Sequence, residues 1–175
     1  TPSGFSLFLD IGFKALTYDG DLPLESGYFL HALFETAPKE FIDQNFRRLA
    51  VELKAMIDSR SSSSQAAFDC LSSLVKNVSI KFSEEILEIF REIVDTIRII
   101  DDRSTIAMYL TVCSSVVHKF PSQSFEAVPG LVDLLFDLLN GYDIDIWKQV
   151  VLILIVFCRE SVPMEGSVND ILKVA

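Results

Sequence analysis

The residues able to carry chemistry are few and widely spaced. The two histidines, His31 and His118, are far apart, and the three cysteines are Cys70, Cys113 and Cys158. The run Cys113-Ser114-Ser115 with His118 has the types of a nucleophile and its base, which would need the thiol lowered in pKa and within reach of the imidazole. A packing role accounts for the cysteine more simply, and His118 near a helix end suits the negative pole of the dipole. No His/Cys set has zinc spacing, and no glycine loop of the phosphate- or dinucleotide-binding kind occurs, so neither metal nor cofactor is expected. Asp143 and Asp145 lack the loop spacing of a calcium site. What remains is acidic. Asp133 and Asp137 are i and i+4, and Glu85, Glu88 and Glu92 form a similar stripe. Such rows are either a solvated outer face or an acidic groove for a basic or amphipathic peptide segment. Trp147, just after a polar corner, is either a buried anchor of that corner or a contact for a partner.

The composition sets limits on the partner. Fifteen Lys and Arg against 25 Asp and Glu give a net charge of −10 over 175 residues. Nucleic-acid surfaces depend on clustered basic side chains, and anionic membranes attract the same, so both are disfavoured. Half of the residues are hydrophobic, enough for a core and too many for a disordered chain. The longest apolar run, Val150 to Phe157, is eight residues, whereas a spanning helix needs about 20. An odd number of cysteines inside apolar patterns reads as three reduced, buried thiols, which places the protein inside the cell, in cytoplasm or nucleus. With chance the better explanation of Asn77-Val78-Ser79, no glycosylation is expected there. A chain opening on Thr1 without a charged-then-apolar leader reads as a fragment of a larger protein.

The elements that must position these residues are helices. No Gly or Pro occurs in the 82 residues from Lys39 to Phe120, where average usage would place roughly ten. Sheets with tight turns need them; helices joined by polar corners do not. Ile42, Phe46, Leu49, Leu53, Met56 and Ile57 recur in steps of three and four, as do Ile86, Ile89, Phe90, Ile93, Val94 and Ile97. Pro38 suits a helix start, and Ser83 before Glu84-Glu85 reads as an N-cap. The spacing predicts about eight or nine helices, over residues 5–17, 24–36, 38–58, 63–77, 83–100, 103–119, 125–139 and 144–160, with a short one at 167–174. The patch Ser59 to Ser64 is expected to form a helix-to-helix corner.

The helices recur in pairs. Cys70 to Cys113 is 43 residues and Cys113 to Cys158 is 45, each thiol falling in the second helix of a pair. Leu71-Ser72-Ser73-Leu74-Val75 echoes Cys113-Ser114-Ser115-Val116-Val117, and Met56-Ile57-Asp58-Ser59-Arg60 echoes Ile99-Ile100-Asp101-Asp102-Arg103. A period of about 40–47 residues with two or three helices is that of HEAT and armadillo repeats. Val128-Pro129-Gly130-Leu131-Val132-Asp133-Leu134-Leu135, the corner Asn140-Gly141-Tyr142-Asp143 and the apolar helix from Ile146 to Arg159 resemble one such unit. The resemblance implies an all-α, right-handed solenoid of antiparallel helix pairs: a pair at 1–37, units at 38–80, 81–121 and 122–162, and a partial C-terminal helix at 163–175. The helix around Val150–Phe157, apolar all round, is expected to be sandwiched between the 168–174 segment, or a further repeat, and its neighbours.

Solenoids present continuous surfaces and seldom carry short motifs. The expected function is therefore a non-enzymatic protein-interaction scaffold within a larger complex, with Glu85, Glu88, Glu92, Asp133, Asp137 and Trp147 as candidate partner contacts. A mean hydropathy of +0.36 adds the expectation of self-association or flanking repeats. Two alternatives stand beside it. A tubulin-binding HEAT-type domain would use basic corners, and Arg60 and Arg103 fall in corners although the next one is acidic. A closed bundle carrying a hydrophobic ligand would need a central cavity. The Trp and Asn arrays of importin-type armadillo proteins are missing.

Overall fold

The computed structural model describes residues 2–16, 22–58, 64–141 and 143–160, and among them every regular element is helical. The expected segment at 167–174 and most of the serine patch lie outside the described residues. By contacts the chain divides into two units, Thr1–Phe82 and Ser83–Ala175.

The first unit contains α1 (Pro2–Leu16), α2 (Leu22–Thr36), α3 (Lys39–Asp58) and α4 (Ser64–Asn77), closed by a 3₁₀ turn at Ile80–Phe82 that periodicity alone did not reveal. The pairs α1/α2 and α3/α4 meet chiefly through α2 and α4. Small residues make that approach possible. A Cβ on Gly27 would stand 2.6 Å from the Cβ of Ala66, and the Cys70 thiol lies 3.6 Å from the Gly27 carbonyl. Phe5 against Phe41, with ring centres 5.5 Å apart, and Arg48 to Asp10 at 2.9 Å tie α1 to α3. Asp43 on α3 holds the end of the unit: its carboxylate accepts the Ser79 N–H at 2.9 Å and pairs with Lys81 at 2.9 Å. Phe82 is thereby set against Phe46, with centres 4.8 Å apart.

The second unit contains α5 (Ser83–Ile97), α6 (Arg103–Lys119), α7 (Pro121–Ala127), α8 (Leu131–Leu139) and α9 (Ile144–Arg159). Here α5 packs on α6, α8 on α9, and the pairs meet through α6 and α9. Asp102 caps α6 by accepting the Thr105 N–H at 2.8 Å, and Asp143 caps α9 by accepting the N–H groups of Asp145 and Ile146. Helix α5 ends at Ile97 rather than 100, because the Thr96 carbonyl takes the N–H groups of both Ile99 and Ile100 in a tight turn.

One expectation is corrected by the structure. The single helix expected over 125–139 is two, α7 and α8, broken at Val128–Gly130. Pro129 drives Val128 out of the helical region, to φ −129° and ψ 89°, and Gly130 sits at φ 74°, where a side chain would be strained. For α9 the expected cover of the far side, the 168–174 segment or a further repeat, lies outside the described residues. Only Ile146, Val150, Ile153, Val156 and Phe157 are buried, while Val151, Leu152 and Ile155 are 46%, 44% and 40% exposed. The helices buried round their circumference are α4, over Leu71–Val75, and α6, over Val112–Val117. Their Ser, Ala and Cys side chains are short enough for neighbours to close in on every side.

Candidate functional site

The acidic rows take their position from the apolar periodicity of the helices that carry them. On α5 the buried set is Ile86, Phe90, Ile93, Val94 and Ile97. At about 100° per residue, Glu85, Glu88 and Glu92 fall on the opposite side; Glu88 and Glu92 are exposed and Glu85 is half-buried. On α8 the buried set is Leu131, Val132, Leu135 and Leu138, and the exposed Asp133 and Asp137 again stand opposite. Side chains of α5, α6, α8 and α9, among them Phe90, Val94, Leu131 and Leu135, line a void of about 10 Å³, room for at most one water. Both rows thus face away from one shared apolar core.

Basic side chains on α5 are turned toward the break between α7 and α8. Arg91 donates to the Ala127 carbonyl at 3.2 Å, and Arg98 donates to the Pro129 carbonyl at 3.1 Å while pairing with Asp95. A helix end leaves carbonyls unpaired, and these guanidinium groups satisfy two of them. The effect is to leave the outer side of α5 dominated by carboxylates.

Trp147 lies in the first turn of α9. Its indole N–H reaches the carbonyls of Leu139, at 3.0 Å, and Gly141, at 2.6 Å, so the ring anchors the α8–α9 corner. The ring itself is not buried as expected of an anchor; it is 37% exposed. The Arg103 guanidinium lies against Gly141 on the same corner. Arg60 lies outside the described residues.

The thiols divide. Cys70 and Cys113 are buried, and burial pushes Cys70 up to about 12 and Cys113 further still. Neither is a thiolate near neutrality, so the Cys113–His118 pairing lacks its nucleophile. His118 instead places Nδ1 3.0 Å from the Ser114 carbonyl, one turn back on α6. Cys158 is exposed, against expectation: it lies one residue from the end of α9, on the side turned from the core. Among the described residues, no three His, Cys, Asp or Glu side chains gather as a metal site would require.

The apolar excess expected from the composition surfaces at particular residues that the sequence reading did not name. On the first unit, Leu7, Phe8 and Ile11 of α1 and Tyr28 and Phe29 of α2 are exposed, with Phe8 edge-on to Phe29 at 6.2 Å. The signal was present: α1 and α2 are richer in apolar residues than one buried face can use. On the second unit the outer face of α9 is the counterpart. Among the described residues no helix is long and apolar enough to cross a membrane. Compared with known proteins, the chain matches no family model, no curated protein and no solved structure.

Proposed function

We propose that this chain is a non-enzymatic scaffold, a stack of helix pairs of armadillo/HEAT type that binds another protein in a larger assembly. The observation that carries the reading is the placement of Glu88, Glu92, Asp133 and Asp137 on exposed faces opposite the apolar sets of their helices, with the half-buried Glu85 at the flank. Rows of that kind suit a basic, amphipathic peptide segment, whose Lys and Arg meet the carboxylates while its apolar side lies along the helices.

The test is a titration of a fluorescently labelled Lys/Leu amphipathic peptide with the full chain. Binding that weakens as salt rises is expected. Exposed charge pairs contribute about 0.2–1 kcal/mol each, so Lys at all five acidic positions should weaken binding at least about fivefold. Unchanged affinity in that variant would remove the acidic rows from the proposal.

A further inference from the structure

Helix α9 carries two apolar faces, and among the described residues only one of them is covered. At about 100° per residue, Ile144, Lys148, Val151, Leu152, Ile155 and Arg159 share a stripe about 100° wide, opposite the buried Ile146, Val150, Ile153 and Phe157. Ile155 and Lys148 lie along its centre line, with Val151 on one side and Leu152 on the other. Asp145 and Arg159 lie along one edge, Trp147 and Cys158 along the other.

The order of charges along the first edge is self-complementary. Asp145 and Arg159 are each seven residues from Leu152, on opposite sides, a distance of about 10 Å along the axis. When two identical helices pack antiparallel about a two-fold axis, each edge meets itself in reverse. An axis through Leu152 therefore sets Asp145 of each copy opposite Arg159 of the other, twice over. Leu152 meets Leu152, flanked by Val151 and Ile155, and Trp147 of each copy falls beside Cys158 of the other. Asp145 also pairs with Lys148 on its own helix, through Oδ1 at 3.1 Å. Although the chain carries −10 overall, Asp145, Lys148, Arg159 and Glu160 sum to zero on this helix, so like-charge repulsion does not oppose the contact locally. A shallow crossing is required. At about 20° the helix ends remain within reach of one another, whereas at about 50° points 10 Å from the axis splay by roughly 9 Å and the charge pairs are lost.

We propose that the outer face of α9 is a homodimer interface, occupied by α9 of a second copy running antiparallel with Leu152 on the two-fold axis. It is independent of the acidic rows on α5 and α8.

The experiment is sedimentation equilibrium on the full chain, followed in parallel by emission of its single tryptophan, Trp147. The expected mass is twice 19.6 kDa at high concentration, with emission shifting to the red on dilution as the mass halves. Leu152→Asp should be monomeric with unchanged far-ultraviolet circular dichroism and unchanged binding of the Lys/Leu peptide. Asp145→Arg and Arg159→Asp should each raise the dissociation constant about tenfold, and the double variant should restore it. Leu152→Cys in a Cys158→Ser background, which tests the axis without adding charge, should give a disulfide-linked dimer under mild oxidation. A monomeric wild type overturns the proposal, including the case in which removing residues 161–175 uncovers dimerisation and so identifies them as the occupant. A dimer untouched by Leu152→Asp, or single charge variants that the double variant fails to rescue, overturns it equally.

Discussion

Asp43 is the side chain on which the end of the first unit turns. Its oxygens serve a backbone N–H and a Lys ammonium that local helix geometry leaves unpaired. Burial alone would raise its carboxyl, but Lys81 and the Ser79 N–H outweigh that and hold it below its ordinary value. Asp43→Ala should destabilise the protein by about 1–3 kcal/mol near neutral pH, since it strands a half-buried donor. Because the folded-state pKa is the lower one, the carboxylate's stabilising share is complete above the unfolded value, about 4, and fades as pH falls through the folded value. Denaturation of wild type and Asp43→Asn across pH 2–7 should converge at the acid end; a constant difference would contradict the assignment. The thiols supply a second residue-scale expectation. In dilute native protein, iodoacetamide should modify Cys158 and spare Cys70 and Cys113 until denaturant is added, as peptide mass analysis would show.

Among the helices, side-chain volume decides which can be surrounded. Helix α4 approaches α2 at Gly27 and Ala66 so closely that one added methyl group must move a backbone. Gly27→Ala should therefore cost about 1–3 kcal/mol through overpacking. Gly141→Ala provides the contrast: the added methyl meets only the flexible tip of Arg103, so a change within about 0.5 kcal/mol is expected. Thermal melts of the two variants separate these cases, and equal losses would mean that the α2–α4 approach is not tight. Helix α9 is the converse. Its bulky Val, Leu and Ile side chains hold neighbours at a distance and leave one face outward.

At the scale of the molecule, each unit joins two helix pairs through the second helix of each: α2 with α4 in one, α6 with α9 in the other. This recurrence supports the proposed stack. The 175 residues would have a radius of gyration of about 16 Å as a compact globule, and a solenoid should exceed that by several ångström. Small-angle scattering on the monomeric Leu152→Asp variant measures it directly; a value near the compact one would dispose of the solenoid.

Much of the helical class was legible in the sequence because its evidence is local. Absence of Gly and Pro from Lys39 to Phe120, three-and-four spacing and capping residues such as Asp102 each act within a few residues of themselves. That locality brought α3 and α6 within a residue of their bounds and put Glu85, Glu88, Glu92, Asp133 and Asp137 opposite apolar faces. The same local rules missed the break at Pro129-Gly130, where Leu-rich spacing on both sides hid two residues that forbid a helix between them. Periodicity says how much apolar surface a helix carries but not what lies beside it. So neither the outward face of α9, which carries the longest apolar run, nor the enclosure of the serine-bearing α4 and α6 could be read from those segments alone. Only tertiary packing could settle that, because enclosure depends on how closely neighbours approach, a property of pairs of helices that no single segment contains.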